Sequence, residues 1–206
     1  QDRNSERDTK MSSRVQLLQK EVGRLDNILS DFLRFAKKPV LHFEECDING
    51  IIENVLDFIG PEAMQNSIRI LKNFDAKLPK CNLDSNVIKQ ALLNVILNAQ
   101  QAMPHGGELL LQTQKAPTPI TGEGAGTRKF ITITVTDTGG GICADDLSKI
   151  FNPFFTTKDK GTGLGLAISH NIIKAHQGTI EAVSEEGKST SFMVNLPCWD
   201  EDFDET

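Results

Sequence analysis

The sequence predicts an α/β (α+β) chain in which a layer of helices covers a sheet, preceded by a long amphipathic helix. Segments of strand and helical periodicity interleave from residue 40 to residue 196, which is the pattern of a mixed domain. Residues 129–137 alternate strictly between apolar and polar, as a strand with one buried face does. Before this, Met11, Val15, Leu18, Val22, Leu25, Leu29 and Phe32 follow one another at spacings of four and three, the repeat of a helical seam. The 206 residues, 38% of them apolar, suffice for one packed domain and an accessory element.

In the first helix, Ile28, Leu33 and Phe35 widen the stripe beyond a two-helix seam, and Pro39 ends it because proline cannot continue the hydrogen-bond ladder. One reading is an amphipathic helix lying on its own domain; the regular spacing favours a dimer or a hairpin. A short strand is expected at 40–46, a helix at 49–64, and strands at 68–74 and 80–84. A long helix follows at 85–103, with Asp84 or Ser85 as N-cap. Residues 107–114 read as a strand, 116–127 as a flexible connection rich in Pro, Gly and Thr, and 129–137 as the clearest strand. A helix at 164–175 precedes strands at 179–184 and 189–196 around a Glu186-Gly187 turn, and the tail 198–206 is acidic and solvated.

A net charge of −6 lacks the basic footprint of a nucleic-acid binder, so nucleic acid is not an expected partner. The cysteines Cys46, Cys81, Cys143 and Cys198 form no CxxC pair, which predicts neither a zinc site nor a disulfide framework but reduced thiols in the cytoplasm. No apolar run approaches the roughly 18 residues of a membrane span. The chain opens at Gln1 and runs straight into helix-like sequence, so it is expected to be a piece of something longer, with any membrane link in upstream segments.

Four segments carry chemistry. The 85–103 helix is apolar in nearly every direction, leaving one polar strip of Gln90, Asn94, Asn98 and Gln101. Such a strip is either a wet edge or a set of groups with a ligand to meet. In the 130–136 strand, Ile131, Ile133 and Val135 share a face that the period of two carries on to Asp137. A carboxylate at the edge of an apolar face needs a donor, which an adenine amine could supply, and Gly139, Gly140 and Gly141 then let backbone approach a flat ligand. An ordinary turn would also explain an aspartate followed by glycines. Residues 150–158 run from the aromatic Phe151, Phe154 and Phe155 into Thr156, Thr157 and Lys158, an anchored lid with a polar tip. Gly161-Thr162-Gly163-Leu164-Gly165 opens a helix, whose N–H groups and positive end suit phosphates. It matches neither the Walker pattern nor the dinucleotide fingerprint.

In order, Asn94/Asn98, Asp137-Thr-Gly139-Gly-Gly141-Ile142, Phe151-Asn-Pro-Phe154-Phe and Gly161-Thr-Gly163-Leu-Gly165-Leu166 resemble the N, G1, F and G2 boxes of sensor histidine kinases, nearest the nitrogen-regulation branch. The resemblance spans residues 40–197, and residues 11–38 look like the second helix of that family's dimerisation hairpin. It implies a division into a partial hairpin at 1–39, an ATP-binding catalytic domain at 40–197 and an acidic tail at 198–206. It implies a two-layer sandwich, a mixed and mostly antiparallel sheet covered by three helices, with ATP and Mg²⁺ as cofactors. Asn98 would hold Mg²⁺ and Asn94 support the phosphates, while Asp137 would read the adenine amine in a pocket shaped by Gly139, Gly141, Ile142 and Phe151. Gly161, Thr162, Gly163, Leu164, Gly165 and Leu166 would cradle the phosphates, with Thr157 and Lys158 in the lid beside them. A homodimer and a response-regulator receiver domain are the partners it implies.

Gyrase-like and chaperone ATPases share the boxes, but they place a glutamate where this chain has Asn94, which cannot serve as a base. A neutral imidazole already has a lone pair at cellular pH, so transfer of the γ-phosphoryl to histidine fits best. Asn94 and Lys158 are the expected catalytic residues. His42, His105, His170 and His176 all lack the family's acceptor motif of a histidine, an acidic residue and a proline, which places the acceptor upstream; His176 matches a structural histidine near the end of the last helix. The alternatives are a nucleotide-hydrolysing ATPase and a non-catalytic nucleotide-binding module of the same fold.

Overall fold

In a computed structural model, the described residues are 40–116, 129–158 and 161–198, together with 14, 15, 18, 19, 21–23, 25, 26, 29, 30, 32, 33 and 35. The chain divides into two units, Gln1–Lys38 and Pro39–Thr206. In the first, every described residue is helical, and Val15, Leu18, Val22, Leu25, Leu29, Phe32 and Leu33 are all exposed. The expected stripe is therefore present and uncovered at these positions. Met11, Ile28 and Pro39 lie outside the described residues, as do most of the expected connection at 116–127 and the tail beyond residue 198.

The second unit is built on a five-stranded sheet. Its strands are β2 (Ile68–Phe74), β4 (Gly107–Lys115), β5 (Lys129–Asp137), β6 (Thr179–Glu185) and β7 (Ser189–Cys198), in the order β2-β4-β5-β7-β6. The β2–β4 pair is parallel and the other three are antiparallel, so the sheet is mixed and mostly antiparallel. A separate antiparallel pair joins β1 (Glu44–Cys46) to β3 (Cys81–Leu83). A parallel pair needs a crossover, and the crossover from β2 to β4 contains the helix that carries Gln90, Asn94, Asn98 and Gln101.

The helices are α1 (Ile48–Gln65), α2 (Ser85–Gln101), the single turn α3 (Ala144–Leu147) and α4 (Gly165–Ala175). Asp47 caps α1 by accepting from Asn49 N–H at 3.0 Å, and Asp84 caps α2 by accepting from Val87 N–H at 3.1 Å. In α1 the buried residues Ile48, Ile51, Ile52, Val55, Leu56, Ile59 and Ala63 form one stripe. In α2 the buried face is Ile88, Ala91, Leu92, Val95, Ile96 and Ala99, and the helix packs on β5; Leu109, Leu111, Ile131, Ile133, Val135, Phe192 and Val194 are the buried residues of the sheet's central strands. The three long helices and the sheet are the two layers expected.

Several expectations need correction. The first strand begins at Glu44, because only residues 44–46 have a partner strand, and β3 itself is only three residues long. The turn α3 has no signature in the sequence, because four residues show no helical period; Asp145 and Asp146 in its first turn favour it electrostatically. Cys198 is not in a solvated tail but ends β7, and it is bonded to Cys81 across a sequence separation of 117. The expectation of reduced thiols therefore fails for this pair: the fold brings β3 to the end of β7, a proximity that sequence spacing cannot show. Cys46 and Cys143 are free.

Candidate functional site

The site is assembled from the polar strip of α2, the end of β5, the 151–158 loop and the start of α4. On α2, spacings of three and four carry Asn94, Asn98 and Gln101 along the side opposite the core. Asp137 closes β5, paired with Leu109 on one side and Thr190 on the other. It is 1% exposed. Its Oδ1 accepts from Gly139 N–H at 2.9 Å, while its Oδ2 is buried with no protein partner. Burial pushes its pKa up, only partly opposed by Gly139 N–H and the Lys158 charge. A buried polar atom without a partner is costly, and an amine-bearing flat ligand would relieve that cost.

Gly139 cannot carry a side chain here: a Cβ would lie 2.5 Å from the Ala102 carbonyl oxygen and 2.8 Å from Asp137 Oδ1. Gly141 has φ +67° and packs on the Glu185 backbone, while Ile142 N–H donates to Ser184 Oγ at 2.8 Å and Gly187 N–H to Gly140 O at 2.7 Å. Gly141 and Ile142 thus hold the loop to the β6–β7 hairpin, which positions Asp137 and Gly139 in turn.

Lys158 reaches back to α2. Its Nζ donates to Asn98 Oδ1 at 2.8 Å and Gln101 Oε1 at 2.9 Å. Burial draws its pKa down, against the opposing pull of Asp137, so lysine and carboxylate share one pocket. Thr156 Oγ1 accepts from Lys158 N–H at 3.1 Å and bends the loop there. Phe151 anchors the base of the loop, its ring 5.6 Å from His170 and 6.5 Å from Phe192. Thr157 is exposed.

At the head of α4, Asn94 Nδ2 donates to the Gly165 carbonyl at 3.1 Å, and Ser169 Oγ is placed to donate to the same carbonyl at 3.1 Å or to Ala91 O at 3.0 Å. Asn94 therefore fixes the helix start against α2. Gly163 adopts φ +68° against the Phe154 backbone and accepts from Phe154 N–H at 3.0 Å; Leu164 is fully buried, Thr162 Oγ1 accepts from Leu164 N–H at 3.3 Å, and Leu166 is half-buried. A Cβ on Gly165 would meet only Asn94, at 3.9 Å. The first-turn N–H groups of a helix lack intrahelical acceptors, so this opening leaves room for an anion on them.

The structure thus gathers Asn94, Asn98, Asp137, Lys158 and the 161–165 loop, and leaves Thr157 exposed. Sequence reasoning placed Gln101 on the strip but not in the site; its alignment with Asn98 was the available signal. As a metal site the pocket offers the amide oxygen of Asn98 with that of Gln101 beside it, and no group of three or more His, Cys, Asp or Glu able to hold a metal occurs among the described residues. Such a donor set suits Mg²⁺ brought in on phosphates, which takes few protein ligands and keeps several waters.

Comparison with known proteins agrees with this layout. Residues 83–200 match the family described as histidine kinase-, DNA gyrase B-, and HSP90-like ATPase. The chain is 38% identical over 183 residues to the sensor histidine kinase ZraS of Escherichia coli (strain K12), covering 89% of this chain and 37% of that protein. The full-length ShkA structure in complex with AMPPNP superimposes with a TM-score of 0.77 at 26% identity, over 91% of this chain and 39% of the other. The histidine kinase ThkA in complex with the response regulator TrrA gives 0.72 at 27% identity, over 89% and 50%. The chain spans well under half the length of the curated relatives it matches. With the glycine loops, the orphaned aspartate oxygen and the paired asparagines meeting in one pocket, the chain belongs to the histidine kinase-, DNA gyrase B-, and HSP90-like ATPase family, alongside the catalytic domains of sensor histidine kinases.

Proposed function

We propose that this pocket binds ATP with Mg²⁺ and that the chain is the catalytic part of a sensor histidine kinase, donating the γ-phosphoryl to a histidine for relay to a response-regulator aspartate. The observation that carries the nucleotide reading is Asp137, whose buried Oδ2 lacks a partner beside a glycine that no side chain could replace. Adenine's amine would satisfy it. Asn98 would hold Mg²⁺, which neutralises phosphate charge when bound, and the α4 N-terminus would receive the phosphates. Lys158 is within reach of the same space.

Asn94 favours phosphoryl transfer over hydrolysis. Its amide is spent on the Gly165 carbonyl and has no basic form with which to deprotonate water. A neutral imidazole needs no such base, so holding the phosphates in line and screening their charge suffices. None of the four histidines of this sequence sits in an acceptor motif, and His176 is committed to the core, so the acceptor is a different histidine.

The same proposal assigns residues 1–39 to part of a dimerisation hairpin, 40–197 to ATP binding and 198–206 to an acidic tail. The exposed stripe from Val15 to Leu33 supports homodimerisation, and the ThkA–TrrA complex supports a receiver domain as partner. The use of ATP supports a cytoplasmic location for the domain, with any membrane attachment elsewhere in the protein; no helix among the described residues is long and apolar enough to cross a membrane.

Calorimetric titration with Mg·ATP tests the site: Asn98→Ala and Asp137→Ala are each expected to abolish binding, and wild-type affinity in either would refute it. Incubation with labelled ATP and a separately made histidine-bearing helix tests the reaction. Label on that helix supports the kinase, whereas steady phosphate release without label indicates the hydrolase, and neither indicates a binding module.

A further inference from the structure

Lys158 stands where the proposed metal would have to go. Its ammonium faces three oxygens of α2: Asn98 Oδ1 at 2.8 Å, Gln101 Oε1 at 2.9 Å and the Asn98 main-chain carbonyl at 3.5 Å. An amide oxygen directed at an ammonium cannot also take Mg²⁺ at about 2.1 Å without forcing a dication and a monocation into near contact. The lysine is held at its base too, where Thr156 Oγ1 accepts from its main-chain N–H.

We infer, taking Asn98 as the metal ligand proposed for this site, that Lys158 is the resident cation of the nucleotide-free pocket and that Mg·ATP enters by exchanging for it. Gln101 is then a positioning residue. Its Oε1 supplies one of the two short bonds that keep the ammonium on Asn98. Lysine suits this use because its ammonium is a compact charge on a flexible stem. Once displaced from Asn98, the ammonium can swing to phosphate oxygens. The pocket is thereby never without a positive charge facing the α2 amides.

The consequence is a coupling between Gln101 and Lys158 that appears only in Mg·ATP affinity. Binding of a fluorescent ATP analogue, titrated in Mg²⁺ and in EDTA, reads it without any turnover. Gln101→Leu is expected to tighten Mg-dependent binding by roughly tenfold, the worth of one charge-assisted hydrogen bond released. It is also expected to lower the Mg²⁺ concentration needed for half-saturation. In a Lys158→Met background the same Gln101→Leu change is expected to do nothing, because there is no ammonium left to hold. Weaker binding in Gln101→Leu, or an equal change in both backgrounds, would overturn the inference and make Gln101 a nucleotide contact or a packing residue. If wild-type binding ignores Mg²⁺, or Asn98→Ala leaves the Mg²⁺ dependence intact, the metal assignment itself fails. Mg²⁺ dependence that needs Asn98 but shows no Gln101–Lys158 coupling refutes the resident lysine alone.

Discussion

Asp137 faces opposite demands in the empty and the loaded site. Its raised pKa means that, from the ordinary carboxylate range up to the folded value, the native state keeps a proton that the unfolded chain has released. Stability is therefore full below that range and is lost as pH rises through the folded pKa. Asp137→Asn removes the penalty, so urea unfolding of the nucleotide-free protein should show the variant gaining on wild type across that window and then holding a constant lead. Mg·ATP affinity should move the other way, falling by roughly 10- to 100-fold for the loss of a charged acceptor. Asp137, Asn98 and Asn94 could be read from the sequence because strand and helix periods fix which face each occupies. The ties of Gly141 and Lys158 could not, since each meets a partner more than forty residues away through a loop without period.

Between elements, His176 joins the end of α4 to the start of α2. Its Nε2 accepts from Asp84 N–H at 3.1 Å, so its Nδ1 carries the proton and donates to Ile172 O at 2.8 Å. The ring is buried and stands edge-on to Phe43, 5.4 Å away. His176→Ala leaves Asp84 N–H without an acceptor in a dry site, and chemical denaturation should show a loss of about 1–3 kcal/mol or more once the cavity is added. Asp84 itself is held below the usual carboxylate range: burial raises it, but N–H groups of His42 and Val87 outweigh that. Its stabilisation is present at neutral pH and lost on acidification through the folded pKa. Long elements such as β5 and α2 were legible because nine and seventeen residues sample their periods many times. The three-residue β1 and the four-residue α3 do not complete enough of a period to be seen, and their existence depends on neighbours.

For the whole molecule, the Cys81–Cys198 bond closes most of the catalytic unit into a loop. A cross-link over about 100 residues is worth up to about 4.7 kcal/mol by unfolded-state entropy alone, so the melting temperature should fall when a reductant is added. Cys81→Ser should abolish that dependence on reductant, and alkylation followed by intact-mass measurement should count two protected cysteines in the oxidised wild type. In a reducing compartment the two residues would stand as neighbouring thiols and the fold would do without this increment. The layered architecture itself was visible in the alternation of periods; the pairing order β2-β4-β5-β7-β6 was not, because it is decided by which apolar faces can be covered together. That order has a practical use. Asp137 lies opposite Leu109 at one end of the β4–β5 ladder, while Lys115 faces Ile131 six pairs away and Ala116 N–H closes the far end on Phe130 O at 2.8 Å. The connection between residues 116 and 129 therefore joins the sheet about 20 Å from the nucleotide pocket. A reporter peptide spliced there should leave Mg·ATP affinity unchanged, which makes it the place to graft a fluorophore or an affinity handle without disturbing the pocket.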